Sequence, residues 1–142
     1  MRGLLADVNV QGHFPYLRRQ LETLDLWTIL VDLHLDFVTF PDLHLPPNLD
    51  DRTLWNRCQQ DGWVLFTDNR NHEDVNSLEA TLADSWWPGH LPVLTLANKG
   101  KFENSAAYAK CVAIDVAELL FGIAYEEYRD QPRIYVPRLL TV

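Results

Sequence analysis

Apolar residues recur along this chain in two rhythms, short unbroken runs and stripes at three- and four-residue spacing. The run Gly3 to Val10 is apolar except for Asp7 and Asn9, which predicts a buried strand with a polar C-terminal end. From His13 to Leu24, Phe14, Leu17, Leu21 and Leu24 share a helical face, and Pro15 falls in the first turn, where a missing N–H does least harm. Asp25 to Pro41 divides into a helical pattern through Leu26, Ile29, Leu30 and Leu33 and a short strand, Phe37-Val38-Thr39-Phe40. Pro41 to Leu49 is a proline-marked loop. Asp50 is then placed to cap a helix from Asp51 to about Gln60, whose inner face is Leu54, Trp55 and Cys58 and whose stop is Gly62.

Trp63 to Thr67 is a second continuous apolar strand, ended by Asp68. A polar loop, Asn69 to Asn76, leads to a helix from about Ser77. Leu91 to Leu96 follows the Pro88-Gly89 break as a third strand. Asn104 or Ser105 caps the longest helix, expected to reach about Arg129, with Tyr108, Val112, Val116, Leu119, Leu120 and Ile123 as its stripe. Ile134-Tyr135-Val136 adds a last strand. Continuous apolar strands alternating with helices predict a three-layer α/β/α domain around a mainly parallel sheet. Ligands of such sheets sit beyond the carboxyl ends of the strands, which is where Asp7 and Asp68 fall.

Composition narrows the class. With 142 residues, the chain is the size of one domain, and 47% hydrophobic against 23% charged residues argues against disorder. Cys58 and Cys111 form no C-x-x-C pair, and the five histidines show no zinc-type spacing. The N-terminus reaches Asp7 too soon for a signal peptide, and no run of roughly 18 uncharged apolar residues exists for a membrane span. These features predict a cytoplasmic protein with no membrane partner. The net charge of −8 is unlike a general nucleic-acid binder, which relies on a basic footprint. Between Gln20 and Asp68 nine acids face two bases, Arg52 and Arg57. That patch is either a solubilising surface or a set of carboxylates converging on a cation.

Asp7, Asp51, Asp68 and Asp74 are the candidate acids, with Asn9, Thr67 and Asn69 beside them. Carboxylates crowded without a cation repel one another and raise their pKa values. Mg²⁺ or Mn²⁺ relieves that repulsion with oxygen ligands, and can activate water against a phosphodiester. Each acid also has a plainer role: Asp68 as a turn residue, Asp51 as a first-turn acid on a helix dipole, Asp74 as a loop or capping residue.

Three elements in this order resemble the PIN-like nuclease superfamily in its small stand-alone bacterial form. They are the first strand ending Leu4-Leu5-Ala6-Asp7-Val8-Asn9, then Asp51 opening a helix with Leu54, Trp55 and Cys58, then Gly62-Trp63-Val64-Leu65-Phe66-Thr67-Asp68. The resemblance covers roughly the first hundred residues, and it is the ordered set, not any one motif, that carries it. It implies a single PIN-like domain over residues 1–142, an α/β/α fold, and a Mg²⁺- or Mn²⁺-dependent endoribonuclease. Asp7, Asp51 and Asp68 would be its metal acids, and a toxin–antitoxin setting would bring an antitoxin-like protein partner. The family places a further acid two residues after Asp68, where this chain has Arg70. Asp74 is the candidate replacement. Arg70 either holds a substrate phosphate or pairs with the acids in place of a metal.

The alternative function is a PIN-like interaction module that has lost catalysis, favoured by Arg70 and by the acidic surface. A nucleotide-handling α/β protein of the response-regulator or haloacid-dehalogenase kind is a third reading, disfavoured because the chain lacks a glycine-rich phosphate loop and an Asp-x-Asp after the first strand. His72 is a candidate proton shuttle or a solvated loop residue. Of Trp86 and Trp87, one is expected in the core and one exposed. Arg18, Arg19, Arg70, Lys99 and Lys101 are the bases expected around the cleft, and the broadly apolar end of the last helix suggests a homodimer face.

Overall fold

A computed structural model describes residues 1–69 and 77–138. The short apolar runs become β1 (Gly3–Ala6), β2 (Asp36–Val38), β3 (Trp63–Thr67), β4 (Val93–Leu96) and β5 (Arg133–Val136). Every neighbouring pair is parallel, in the order β2-β1-β3-β4-β5. The helical stripes become α1 (Phe14–Thr23), α2 (Trp27–Asp32), α3 (Asp51–Asp61), α4 (Leu78–Ser85), α5 (Lys99–Asn104) and α6 (Ala106–Ala124). The result is the expected three-layer α/β/α architecture, with a sheet that is wholly parallel among the described residues.

Strand alternation sorts the core into two layers. Leu4, Ala6, Val64, Phe66, Leu94, Leu96, Ile134 and Val136 face α1, α2, α5 and α6. Leu5, Trp63, Leu65 and Val93 face the other way, against Leu54, Trp55 and Cys58 of α3 and Leu78 and Leu82 of α4. On that second face the apolar pattern gives out toward the carboxyl ends of the strands. The buried polar residues among those described are Asp7, Thr67, Ser77, Thr81 and Thr95.

Local chemistry sets the element ends. Asp50 accepts the Thr53 amide at 2.8 Å and starts α3, and Gly62 at φ 83° closes it in the left-handed conformation. Ser77 caps α4 and Ser105 caps α6 through their hydroxyls. At the other end of β1, Gly3 has φ 150°, and a Cβ there would stand 1.9 Å from the Asp36 carbonyl oxygen. Only glycine lets β2 come this close.

Some expectations need correction. The last helix stops at Ala124, well short of Arg129. The Tyr125 and Glu127 amides both bond back to the Gly122 carbonyl, and Tyr128 packs its ring on Gly122. A further short helix, α5, precedes α6 and buries Phe102. Ile29 is exposed rather than part of an inner stripe. Trp86 packs against the α3–α4 core and Trp87 is exposed, as expected. Among the described residues, no helix is long and apolar enough to cross a membrane.

Candidate active site

The chain leaves β1 toward β2 on one side of the sheet and returns to β3 on the other. The carboxyl ends of β1 and β3 therefore form the switch point where parallel sheets open a crevice. Asp7 follows β1 and Asp68 follows β3, so both acids flank that opening.

Asp7 is buried, and both of its oxygens are engaged. Oδ1 accepts the Val8 amide at 2.6 Å, and Oδ2 accepts the Thr67 hydroxyl at 2.8 Å from the next strand. Its own amide donates to the Phe66 carbonyl at 2.8 Å, extending the β1–β3 ladder by one residue. Burial pushes the Asp7 carboxyl above the usual carboxylate range. The bonds from Thr67 and Val8 pull it back in part, and the like charges of Asp51 and Asp68 push it further up. The three acids thus share one electrostatic neighbourhood.

Asp51 stands on the first turn of α3 and reaches across to the start of α4. Its Oδ2 accepts the Asn69 side-chain amide at 2.7 Å and the Leu78 backbone amide at 3.1 Å. Asn69 is the hub, because its backbone amide also donates to the Thr67 hydroxyl at 3.0 Å. A continuous path of hydrogen bonds therefore runs Asp7–Thr67–Asn69–Asp51. Asp68 stands aside from that path and pairs with Lys99, Nζ to Oδ2 at 3.4 Å, from the first turn of α5.

The expected residues divide as follows. Asp7, Asp51, Asp68, Thr67 and Asn69 gather at one end of the sheet. Asn9 is exposed on the turn after Asp7 and, among the described residues, hydrogen-bonds none of Asp7, Asp51 and Asp68. Asp74, Arg70 and His72 lie outside the described residues. Of the expected bases, Lys99 reaches the acids. Arg18 instead lies over the Trp27 ring, 4.5 Å from its centre, and Arg19 lies beside Tyr16. Among the described residues no group of three or more His, Cys, Asp or Glu is arranged to hold a metal ion. The donors are nevertheless of the hard-oxygen type that Mg²⁺ and Mn²⁺ take, and Asp7 carries the repulsion that a cation would relieve.

Two participants come from the far half of the chain. Lys99 is one. The other is Arg133, whose side chain is only 7% exposed on β5 and whose Nη1 donates to the Asn69 carbonyl at 2.8 Å and the Thr95 hydroxyl at 2.5 Å. Its Nη2 lies 2.5 Å from Glu79 Oε1 on α4, as an ion pair outside hydrogen-bond geometry. Sequence reasoning passed over Arg133, and the available signal was a cation embedded in an otherwise apolar strand, Arg133-Ile134-Tyr135-Val136. Comparison of the chain with protein-family models, with curated proteins and with solved structures gives no match.

Proposed function

We propose that this protein is a metal-dependent phosphodiesterase of the PIN-like type, cutting RNA. The observation that carries the reading is the environment of Asp7, a buried carboxylate at the β1–β3 switch point under the like charges of Asp51 and Asp68. An apolar residue there would fold at lower cost, so the site is built around negative charge. In this reading Asp7, Asp51 and Asp68 hold Mg²⁺ or Mn²⁺, and Asp74 contributes from the following loop. The ion when bound supplies an activated water and stabilises the leaving oxygen.

The chain's own side chains do the rest. Thr67 and the Val8 amide fix the Asp7 oxygens, and Asn69 fixes Asp51. Lys99 stands beside Asp68, where its ammonium offers a contact to a phosphate oxygen. It also gives the anionic substrate a local cation in a chain of net charge −8. An antitoxin-like protein or a second copy of the chain is the partner class this reading brings with it. Phe121 and Tyr125, both exposed and 4.9 Å apart on the α6 side of the fold, are an apolar surface available for such a contact.

The second reading is a PIN-like interaction module without catalysis. It is favoured by the engagement of Asp51 with Asn69 and Leu78, by the Asp68–Lys99 pair, and by the lack of a three-acid metal group among the described residues. Thermal unfolding with and without Mn²⁺ separates the two. On the nuclease reading Mn²⁺ raises the melting temperature, Asp7→Asn abolishes that gain, and Mn²⁺-dependent cleavage of unstructured RNA is lost in Asp68→Asn. A wild-type melting temperature that Mn²⁺ leaves unchanged, as in Asp7→Asn, rules the nuclease reading out.

A further inference from the structure

We propose that Arg133 is the positioning residue of this site, the strut that holds Asn69 and through it the alignment of Asp7 with Asp51. The inference rests on the phosphodiesterase reading and adds to it a residue from the last strand, 64 positions beyond the one it holds.

The argument begins with cost. A guanidinium that is 7% exposed has given up most of its hydration, and its Nε has no hydrogen-bond partner among the described residues. Replacement of a whole buried ion pair by apolar residues is often neutral or stabilising, so packing alone gives no reason for an arginine. Its contacts do. Nη1 is shared between the Asn69 carbonyl and the Thr95 hydroxyl, and Nη2 faces Glu79. Four parts of the fold therefore meet at one planar head: β5 supplies it, β4 and α4 brace it, and the loop after β3 is what it grips. The rigid fork of arginine suits a fixed point of this kind better than the flexible ammonium of lysine.

What is gripped matters more than the grip. Asn69 is the residue from which one bond goes to Thr67, and so to Asp7, and another to Asp51. Its carbonyl is held by Arg133 while its amide and its side chain serve the two acids. Release of that carbonyl loosens the residue that, among those described, ties Asp7 to Asp51. Arg133 itself forms no hydrogen bond or ion pair with Asp7, Asp51 or Asp68 among the contacts described, so it acts through Asn69 and not as a ligand.

The test uses the full chain and Mn²⁺ alone as probe, followed by tryptophan fluorescence and by the melting temperature. Arg133→Met keeps the length and apolar stem of the side chain and removes the donors. It should fold, and its Mn²⁺ affinity should fall about tenfold, the scale on which groups that orient metal ligands act. Arg133→Lys, which keeps a donor for the Asn69 carbonyl, should recover part of that loss. Backbone hydrogen exchange without metal should accelerate at Asp68 and Asn69 in Arg133→Met while Val64 and Leu65 stay protected. RNA cleavage should lose kcat with KM nearly unchanged. A general loss of stability moves none of these selectively, and Ile123→Val, a core variant remote from the acids, sets that baseline. Should Arg133→Met fail to fold, Thr95→Val removes one brace and should show the same changes in smaller measure.

Mn²⁺ affinity in Arg133→Met within twofold of wild type overturns the proposal and leaves the nuclease reading standing. Wild type that binds no Mn²⁺ overturns the nuclease reading, and Arg133 with it.

Discussion

The Thr67 hydroxyl donates to Asp7 Oδ2 at 2.8 Å across the β1–β3 boundary, and both side chains are buried. The same oxygen accepts the Asn69 amide, so one hydroxyl serves a carboxylate on one side and a backbone donor on the other. Thr67→Val preserves the β-branched shape and removes both bonds. A buried carboxylate left without its donor costs about 1–3 kcal/mol, and urea unfolding at neutral pH should show that loss. Thr67→Ser keeps the hydroxyl and should recover most of it. If valine and serine unfold at the same urea concentration, the hydrogen bond contributes nothing to the fold.

Asp7 also gives the protein a pH dependence of defined sign. Its carboxyl is raised above its ordinary value of 3.8, first by burial. Between 3.8 and the raised value the folded chain holds a proton that the unfolded chain has released, so stability falls as pH rises through that window. Below it both states are protonated and the penalty is absent; above it the penalty is complete. The loss amounts to about 1.4 kcal/mol for each pH unit the window spans. Asp7→Asn should therefore melt higher than wild type at pH 7 without metal, with the advantage shrinking as the pH approaches 3.8. A melting difference that is constant from acid to neutral pH would mean that Asp7 titrates normally.

Much of this arrangement could be read from the chain, and the parts that could not share a physical cause. α3 was legible throughout because a capping Asp50, a Leu54–Trp55–Cys58 stripe and the terminal Gly62 are all local signals. The placing of Asp7 and Asp68 at one opening followed from strand ends in a parallel sheet, whereas Asp51 opens a helix and was carried by the resemblance. α5 was missed because six residues with one buried side chain, Phe102, are too short to display a period. The end of α6 was overrun because aromatic residues recur at Tyr125 and Tyr128, while the chain closes the helix with Glu126 in the left-handed conformation at φ 68° and the Glu127 amide bonded back to the Gly122 carbonyl, a turn that carries no glycine or proline of its own. Arg133 was invisible for a related reason. Its importance lies in a contact to Asn69 that only the completed sheet creates.

Gly3 has no room for a side chain. It pairs with Asp36 in the β1–β2 ladder, and the Asp36 amide donates to the Arg2 carbonyl at 3.0 Å. A methyl group at Gly3 would stand 1.9 Å from the Asp36 carbonyl oxygen and 2.6 Å from its nitrogen, both backbone atoms that cannot rotate away, and φ 150° is itself unfavourable for alanine. Gly3→Ala can be accommodated only by moving β2 off β1, which uncovers Leu4 and Leu5. The expected loss is about 3 kcal/mol or more, seen as an earlier urea midpoint. Gly12→Ala is the matched control, since a methyl there meets nothing within 4 Å and its φ is ordinary. It should leave the midpoint unchanged or raise it slightly by restricting the unfolded chain. Equal midpoints for the two alanine variants would show that β2 is not held against β1 as closely as described.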